Sequence, residues 1–337
     1  MLHQAKNCEI EMSYLSTREQ KLPGVLVTGA QGYIGTTLLN RVTNVQGTIV
    51  SLDKLEGLVR PGQDHFIGDF GDEKILTSIL QKYDIHTVIH LAALKSVSES
   101  MVNPIEYLDV NYFKTSTMYR LLTESGLERF IFASSAAIYA EKDVGEGALI
   151  SEEDKVLPGS PYGVSKIAAE YFLESACGAF QSVDALRIFN VAGIYAGKTW
   201  SSGAVNMLCD IAANGGTFFV KRNSKGESTL DSVRDYISVN DVTSAILASL
   251  DSKAKPGFRA MNISTGKGTS IRELIDLIEA KIGGRINVVQ TDEIVEEAAF
   301  VVGDPSFAYK EIGFSSVENM DSTISDSLLS SRRQIQE

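Results

Sequence analysis

The chain has 337 residues, a length that predicts either two domains or one large α/β unit with an appended lobe. Its content of 44% hydrophobic and 22% charged residues is typical of globular proteins. The formal net charge of -12 argues against a general nucleic-acid-binding surface, because such a surface needs basic residues to contact phosphates. A small anionic ligand is still compatible with this charge if basic residues cluster locally.

Cysteine spacing and the lack of long apolar segments predict a soluble, cytoplasmic protein. Cys8, Cys177 and Cys209 are far apart and form no CxxC motif, so we expect free, packed thiols and a reducing compartment. No apolar run approaches the ~18 residues that span a bilayer, and we predict no membrane partner. Residues 1–22 mix charged and polar side chains, and we interpret them as a flexible N-terminal extension.

The first motif predicts a dinucleotide-binding turn. A β-rich run at residues 25–28 is followed by Gly29, Gly32 and Gly35, and then by apolar residues at helical spacing. These glycines allow a tight turn, close approach of a pyrophosphate and close packing of the helix, whose N-terminus carries a positive dipole end. A second β-rich run ends at Asp53, where a carboxylate can accept hydrogen bonds from a ribose and would repel a 2′-phosphate. We therefore predict NAD as the cofactor.

The glycine spacing, Gly-x-x-Gly-x-x-Gly, resembles that of the short-chain dehydrogenase/reductase superfamily. By this resemblance, Asp69 in the sequence Gly68-Asp69-Phe70 contacts the adenine of the cofactor. A second interpretation is that Asp69 is the N-cap of a helix that begins near Glu73. The residues alone leave both interpretations open.

His86 and His90 lie four residues apart, a spacing that suits a metal site on a helix. The β-branched run at residues 87–93 predicts a strand instead, and no further acid, histidine or cysteine is placed to complete a ligand set. We therefore interpret both histidines as structural and predict no metal.

A longer resemblance begins at the end of this predicted strand. Residues 91–100 read Leu-Ala-Ala-Leu-Lys-Ser-Val-Ser-Glu-Ser, with Pro104, Tyr107 and Asn111 behind them on a predicted helix over about 104–122. This pattern is similar to UDP-glucose 4-epimerases, which are extended members of the superfamily. In those enzymes the matching lysine and asparagine hold the cofactor, so the resemblance assigns this role to Lys95 and Asn111.

The catalytic residues are predicted to lie after the next two elements. Ser134 and Ser135 end a buried β run at the carboxyl edge of the sheet, where doubly wound folds bind ligands. Pro161 can open a helix, which places Tyr162 and Lys166 one turn apart on the same face. A lysine ammonium beside a phenol favours the phenolate and lowers its pKa. By the resemblance, Ser135, Tyr162 and Lys166 are the catalytic residues.

The resemblance also implies a reaction. Tyr162 would take the proton of a sugar hydroxyl, directly or through Ser135, while C4 passes its hydride to NAD. Ser135 would hydrogen-bond the developing carbonyl oxygen, and Lys166 would hold the nicotinamide ribose. The 4-keto sugar would then turn over and take the hydride back on its other face. Related 4,6-dehydratases have an Asp-Glu pair where this chain has Ala136 and Ala137, which disfavours dehydration.

The second half of the chain supplies the expected substrate contacts. Phe189 and Asn190 follow the last β run of the first domain, and the matching residues of the epimerases approach the nicotinamide and the sugar diphosphate. Asn206, on a predicted helix at 203–214, aligns with a substrate-contacting asparagine, but it could equally be an ordinary polar helix residue. Residues 233–239 match a family signature that assigns Arg234 to the diphosphate, to which a bidentate donor is well suited.

One departure from the family concerns a second arginine, which usually precedes a segment like Asp304-Pro305-Ser306. Here the preceding stretch contains only acids, namely Asp292, Glu293, Glu296 and Glu297. Three explanations remain open: the loop is arranged differently, the substrate is not the usual one, or another basic residue substitutes. The candidates for substitution are Lys221, Arg222 and Arg285.

Together these observations predict an α/β fold with a doubly wound parallel (Rossmann) sheet and a smaller C-terminal α/β substrate lobe. We expect the NAD-binding domain at 23–189, with 235–265 returning to it, and the lobe at 190–234 and 266–330. The predicted activity is an NAD-dependent nucleotide-sugar 4-epimerase acting on UDP-glucose and UDP-galactose. Alternatives are a UDP-N-acetylhexosamine or UDP-uronate 4-epimerase, a nucleotide-sugar oxidoreductase, and a cofactor-binding scaffold without catalysis.

The resemblance further implies a homodimer that forms through the helices near 104–122 and 161–177. The residues assigned to the cofactor are Gly29, Gly32, Tyr33, Ile34, Gly35, Asp53, Asp69, Phe70, Leu91, Ala92, Ala93, Lys95, Asn111, Ser134, Tyr162, Lys166 and Phe189. Those assigned to the substrate are Lys95, Ser135, Tyr162, Asn190, Asn206 and Arg234.

Overall fold

The computed structural model describes residues 22–42, 47–57, 62–139, 147–178, 181–194, 203–295 and 298–333. Its strands are β1 (Leu22–Thr28), β2 (Thr48–Asp53), β3 (Gln63–Ile67), β4 (Tyr83–His90), β5 (Arg129–Ser135), β6 (Ser182–Ile188), β7 (Asn190–Ala192), β8 (Thr217–Asn223), β9 (Val233–Ser238), β10 (Gly257–Ile263), β11 (Gly268–Ser270), β12 (Asn287–Val295) and β13 (Phe300–Val301).

The α-helices are α1 (Tyr33–Arg41), α2 (Glu73–Lys82), α3 (Val97–Val102), α4 (Pro104–Leu108), α5 (Thr115–Glu124), α6 (Pro161–Ala176), α7 (Ala204–Asn214), α8 (Val239–Asp251), α9 (Ile271–Ile282), α10 (Ser306–Ile312) and α11 (Met320–Arg333). A π-helical stretch, Asp109–Lys114, joins α4 to α5, and short 3₁₀ turns occupy Ala136–Ile138 and Thr229–Asp231.

The main sheet has seven strands in the order β10-β6-β5-β4-β1-β2-β3, and all of its pairings are parallel. From β1 the chain builds outward to β3 on one side, then returns to place β4, β5, β6 and β10 on the other. The order therefore reverses between β1 and β4, and doubly wound sheets bind ligands at such a point, beyond the carboxyl ends of the strands. The predicted fold class is confirmed.

Two apolar layers cover this sheet, because parallel strands that connect through helices are buried on both faces. One layer contains Leu38 of α1, Ile246 of α8 and Ile312 of α10. The other contains Ile79 of α2, Leu122 of α5 and Leu173 of α6. The sheet thus lies between two layers of helices, with α6 on the second face.

The remaining strands form two smaller sheets. β9 pairs with β7, β11 and β13, while β8 and β12 form a separate parallel pair. A third apolar cluster joins this region to helices, through residues such as Leu208 of α7, Ile278 of α9 and Ile324 of α11. Within residues 235–265, β10 joins the main sheet and α8 packs in its first apolar layer, whereas β9 belongs to a small sheet.

Most local predictions agree with these bounds, and the differences have simple causes. β1 begins at Leu22, so Pro23 and Gly24 lie inside the strand and do not precede it. β4 ends at His90, three residues before the predicted end, because residues 91–96 leave the sheet as a loop. The serine-rich run at 321–331 lies on α11. Within the described residues, no helix has the length and apolar character needed to cross a membrane.

Candidate active site

The glycine turn lies between β1 and α1 at the switch point of the main sheet. Gly29 has a φ of 67°, and a Cβ there would lie 2.5 Å from the backbone nitrogen of Ala92, in the loop after β4. A Cβ on Gly35 would overlap the carbonyl oxygen of Gly29 and lie 2.7 Å from that of Ala30. These two positions therefore need glycine for close backbone packing.

Gly32 differs, and its surroundings fit a dinucleotide. A Cβ on Gly32 would meet only the carbonyl oxygen of Gly29, at 3.2 Å, so this side of the turn faces space where a pyrophosphate would approach. Gly32 is also the N-cap of α1 and offers no capping side chain, which leaves the helix terminus available to an anion. These residues fit the predicted NAD.

Asp53 ends β2 beside this turn. Its carboxylate accepts hydrogen bonds from the backbone nitrogens of Gln31 (2.9 Å) and Leu55 (3.0 Å). Each carboxylate oxygen can accept a further hydrogen bond, so Asp53 retains capacity for the predicted ribose hydroxyls. The structure thus brings the glycine turn and the predicted ribose ligand together.

Asp69 is not the N-cap of the following helix, so that interpretation was wrong. Asp72 caps α2 by accepting a hydrogen bond from the backbone nitrogen of Lys74 (2.8 Å). Asp69 instead accepts from Lys114 (2.8 Å) and pairs with Lys54 (3.0 Å). Burial opposes its ionisation, but Lys114, a backbone N–H and Lys54 outweigh this and lower the pKa of Asp69 to about 2. Contact with adenine stays a prediction.

The loop after β4 lies against the glycine turn and is fixed by Asn111. The amide of Asn111 accepts from the nitrogen of Leu94 (2.8 Å) and donates to its carbonyl oxygen (2.9 Å). It also donates to Ser165 of α6 (2.9 Å). The Lys95 ammonium lies 5.9 Å from the centroid of the Tyr33 ring. Asn111 therefore positions the loop that carries Lys95 and connects it to the helix that carries Tyr162.

The three predicted catalytic residues meet where β5 ends and α6 begins. Ser135 is the last residue of β5, and its hydroxyl is near enough to Tyr162 to lower the pKa of the phenol. Ser160 caps α6 and Pro161 occupies its first turn, which places Tyr162 at the carboxyl edge of the sheet. Lys166, 3% exposed, donates to the carbonyl oxygen of Ala133 (2.8 Å). The structure thus brings these three residues to the same edge of the sheet, and their catalytic role stays a prediction.

The protonation of this cluster is dominated by burial. Burial raises the pKa of Tyr162, and the hydrogen bond with Ser135 lowers it. Burial lowers the pKa of Lys166 to about 7, while the nearby Glu170 acts in the opposite direction. The sequence led us to expect that Lys166 lowers the pKa of Tyr162. In the structure burial outweighs that effect, because the ammonium is directed at Ala133 and at the Phe132 ring, 4.8 Å from its centroid.

His90 is a buried structural residue, as predicted. Its two ring nitrogens hydrogen-bond Thr28 (2.6 Å) and Thr115 (3.0 Å), and Phe70 packs against the ring at 4.8 Å. Burial, together with the charge of Lys166, lowers the pKa of His90 to about 3. The side chain therefore stays neutral beside the candidate site. His86 lies outside the site, where it pairs with Asp84 (3.0 Å).

The predicted nicotinamide and diphosphate residues lie beyond β6 and on β9. Phe189 is buried and packs against Tyr139, with ring centroids 6.4 Å apart. Asn190 is exposed and donates to the carbonyl oxygen of Asp235 (3.3 Å). Asp235 is fully buried and accepts from Thr265 and Gly266 at 2.7–2.9 Å, which fixes the loop after β10. Arg234, next to it, is partly exposed.

Asn206 contacts other protein groups. Its side-chain oxygen accepts from the backbone nitrogen of Gly193 (3.2 Å) and from Ser327 of α11 (3.2 Å). Tyr33, in the glycine turn, donates to the carbonyl oxygen of Gly193 (2.8 Å). These contacts connect the glycine turn with α7 and α11, a role that neither sequence interpretation of Asn206 included.

The three candidate substitutes for the second arginine are separated in the structure. Lys221 and Arg222 lie on β8, where they pair with Glu293 (2.6 Å) and Asp292 (3.6 Å) of β12. Arg285 precedes β12 at the other end of this sheet and pairs with Glu279 (2.6 Å). Glu296 and Glu297, which also contribute to the acidic stretch, lie outside the described residues.

Sequence reasoning missed two features beside the catalytic cluster. Gly163 allows α6 to approach the 3₁₀ turn after β5, because a Cβ there would overlap the carbonyl oxygen of Ala137. Ser134, which the resemblance assigned to the cofactor, donates its hydroxyl to the buried Glu170 on α6. Glu170 in turn pairs with Arg187 of β6 (2.8 Å). A signal was present, since charges inside the apolar runs of a buried strand and helix usually need partners.

The fold and the site together define a dinucleotide-binding α/β enzyme with a serine, a tyrosine and a lysine at the carboxyl edge of its sheet. A family model described as the NAD dependent epimerase/dehydratase family matches residues 25–264. The chain belongs to this family, and its cofactor is NAD.

Individual relatives agree with this assignment. The chain is 31% identical over 286 residues to UDP-glucose 4-epimerase from Azospirillum brasilense, covering 80% of each chain. It is 29% identical over 328 residues to UDP-arabinose 4-epimerase 1 from Arabidopsis thaliana, covering 90% of this chain and 77% of that one. MoeE5 in complex with UDP-glucuronic acid and NAD has a similar structure, with a TM-score of 0.82, 28% identity, and coverage of 92% and 99%. So does UDP-glucose 4-epimerase from Bifidobacterium longum in complex with NAD+ and UDP, with a TM-score of 0.79, 27% identity, and coverage of 93% and 98%.

Proposed function

We propose that this protein is an NAD-dependent UDP-sugar 4-epimerase that interconverts UDP-glucose and UDP-galactose through a transient 4-keto sugar. The observation that carries the proposal is the cluster of Ser135, Tyr162 and Lys166 beside the glycine turn. Relatives named UDP-glucose 4-epimerase support the choice of substrate. Such an activity belongs to galactose metabolism and produces no net change in redox state.

The chain's own residues supply the proton transfer and the orientation. Tyr162 takes the proton of the sugar 4-hydroxyl at its phenolic oxygen, and returns it when the carbonyl is reduced again. Ser135, which lowers the pKa of the Tyr162 phenol, holds the C4 oxygen together with Tyr162. NAD+, when bound, would supply the acceptor and donor of the hydride, and its positive charge would favour the Tyr162 phenolate. Lys166 would hold the ribose of the bound cofactor. Ala136 and Ala137 stand where the related dehydratases have an acid pair, so these positions cannot support loss of water.

We assign the cofactor to residues 23–189 with 235–265, and the sugar nucleotide to the lobe formed by 190–234 and 266–330. Membership of β10 and α8 in the main sheet and its apolar layer supports this division. In the lobe, Arg234 on β9 and Asn190 at the start of β7 are both proposed to bind the diphosphate. The proposed cofactor and substrate contacts are otherwise those given by the resemblance.

The alternative substrates are UDP-N-acetylhexosamines and UDP-uronates. Structures similar to this chain include a UDP-N-acetylglucosamine 4-epimerase and the MoeE5 complex with UDP-glucuronic acid. The missing second arginine keeps these alternatives relevant, because it changes the environment expected for the diphosphate.

Product analysis with purified protein tests the proposal. UDP-galactose, UDP-GlcNAc and UDP-glucuronate are incubated separately, and sugar nucleotides and NADH are quantified. We expect UDP-glucose from UDP-galactose, at a rate above that of C4 epimerisation of the other two, and no stoichiometric NADH. Formation of no C4 epimer from any of the three would refute epimerase activity, and accumulation of NADH would favour an oxidoreductase.

We further propose a cytoplasmic homodimer that forms through α4, α5 and α6. Exposed apolar side chains on this surface support the dimer, including Ile105 (80% exposed), Phe113 and Tyr171. Cys177 and Cys209 are free thiols, in accord with a reducing compartment. Light scattering is expected to give twice the chain mass of 36.6 kDa, and a value near 36.6 kDa would contradict the dimer.

A further inference from the structure

Glu170 is a buried acid that connects the two elements of the candidate active site. It lies on α6 one turn after Lys166 and is 1% exposed. Its carboxylate accepts a hydrogen bond from Ser134, the neighbour of Ser135 on β5. Glu170 therefore joins the helix that carries Tyr162 and Lys166 to the strand that carries Ser135.

Arg187 of β6 extends this connection to the segment after Ser135. It pairs with both carboxylate oxygens of Glu170, at 2.8–3.3 Å, and donates to the hydroxyl of Tyr139 (2.9 Å). The Tyr139 hydroxyl donates in turn to Asn262 of β10 (2.6 Å). Since Ser134 and Tyr139 flank Ser135 and its 3₁₀ turn, the ion pair of Glu170 and Arg187 fixes both sides of the catalytic serine.

Glu170 also places a negative charge one helical turn from Lys166. The Lys166 ammonium is buried, and Glu170 raises the pKa that burial lowers. His90, on the neighbouring strand, is neutral because burial lowers its pKa to about 3. The other titratable groups packed around the pair are Tyr139 after the 3₁₀ turn and Glu152 in the loop before α6.

We propose that Glu170, held by Arg187, is a positioning residue that fixes Ser135 on β5 against Tyr162 on α6 and places a negative charge one helical turn from Lys166. This inference rests on the proposed function of the site. A buried ion pair is by itself weak support for stability, since a well-packed apolar pair is often as stable. The pair's place between the catalytic strand and helix indicates a role in the reaction.

Three variants test the electrostatic part of the proposal. Glu170→Gln removes the negative charge and leaves Arg187 uncompensated, Arg187→Met does the reverse, and the double variant is neutral. We expect the pKa of Lys166 to fall by about one unit in Glu170→Gln and to rise by about one unit in Arg187→Met. The double variant is expected to lie near the wild-type value. NMR titration of 13C-labelled lysines measures this pKa without substrate, with Lys166 identified by its loss in Lys166→Met.

The same charges act on Tyr162, so the pH profile of kcat gives a second measurement. The pH values at which kcat rises and falls are both expected to be lower in Glu170→Gln and higher in Arg187→Met. KM is expected to be nearly unchanged. Asp184→Asn is the matched control, because it breaks a buried ion pair with Arg259 elsewhere on β6. It is expected to lower stability and leave the profile in place.

Opposite shifts in the two single variants support the proposal. Unchanged Lys166 pKa values and pH profiles, with activity lost only in proportion to the unfolded fraction, would overturn it in favour of a purely structural pair. If a single variant does not fold, the neutral double variant and Ser134→Ala remain, and Ser134→Ala is expected to lower kcat by loss of orientation alone. If the variants show the expected shifts in the Lys166 pKa but the wild-type protein catalyses no epimerisation, the proposed function is refuted and the electrostatic inference stays intact.

Discussion

Charged side chains at the carboxyl edge of the main sheet are buried, whereas those on the β8–β12 sheet face solvent. Lys166 and Glu170 are 3% and 1% exposed and have partners within the protein. Lys221 and Arg222 have side chains that are 42% and 39% exposed, and they pair with more exposed acids. The first group has its geometry fixed by the fold before a ligand arrives, while the second can exchange a protein partner for a ligand.

This difference predicts different kinetic consequences. Surface ion pairs contribute about 0–1 kcal/mol, so a surface arginine can leave its acid for a diphosphate at low cost. A buried hydrogen-bonded group cannot move in this way, and changing it alters the orientation of the reacting atoms. Variants at the sheet edge should therefore change kcat, and variants on β8 should change KM.

The largest expected effect is that of Tyr162→Phe, which removes the hydroxyl that moves the proton. We expect kcat to fall by about 10²–10⁴-fold, the usual contribution of a positioned acid or base, with a smaller change in KM. Initial rates with UDP-galactose measure both parameters. Tyr171→Phe is a matched control, because Tyr171 lies on the same helix but is exposed. Full turnover by Tyr162→Phe would exclude the assigned role.

The second prediction compares two glycines of the same turn. One is expected to be needed for the stability of the fold and the other for NAD binding. In Gly35→Ala the new methyl group overlaps backbone atoms, so we expect a loss of stability of about 1–3 kcal/mol and loss of bound NAD. In Gly32→Ala the methyl group faces outward, so we expect nearly unchanged stability but weaker NAD binding. Thermal unfolding and the NAD content of the purified protein measure the two effects. Equal loss of stability in both variants would contradict the separate roles of these glycines.

The sequence was sufficient for features that are local in the chain. The glycine turn, the strand that ends at Ser135 and the helix that places Tyr162 one turn before Lys166 each depend on residues close in sequence. For this reason the glycine spacing, the β runs and Pro161 revealed them. The seven-stranded order follows from the alternation of such elements, which strongly restricts topology.

Features that depend on distant partners could not be read in this way. Glu170 looks like an ordinary helix acid until β6 brings Arg187 beside it. Asn111 was assigned to the cofactor by resemblance, yet its amide is hydrogen-bonded to Leu94 and Ser165. Hydrogen bonding in a buried site depends on which side chains the packing places in contact, and neither spacing nor periodicity carries that information.

The smallest expected effect tests the exposed side of the comparison, at the candidates for the family's second diphosphate-binding arginine. β8 and β12 run parallel, so Arg222 lies at the end of β12 that leads towards β13 and β9, whereas Arg285 lies at the opposite end. β9 carries Arg234, and the backbone nitrogen of Val233 donates to the carbonyl oxygen of Ala299, just beyond this end of β12 (2.8 Å). Arg222 is thus the candidate placed on the side of Arg234.

Arg222→Ala is therefore expected to raise KM for UDP-galactose by about 10-fold, the effect of losing a hydrogen bond to a charged group, with little change in kcat. Arg285→Ala is the matched control and should leave KM unchanged, since Arg285 pairs with Glu279 at the far end of the sheet. Steady-state kinetics of both variants, together with UDP inhibition constants, distinguish binding from turnover. A larger rise in KM for Arg285→Ala would contradict this placement. A fall in kcat for Arg222→Ala, with KM unchanged, would show that an exposed charge also orients the reacting sugar and would break the distinction between the two regions.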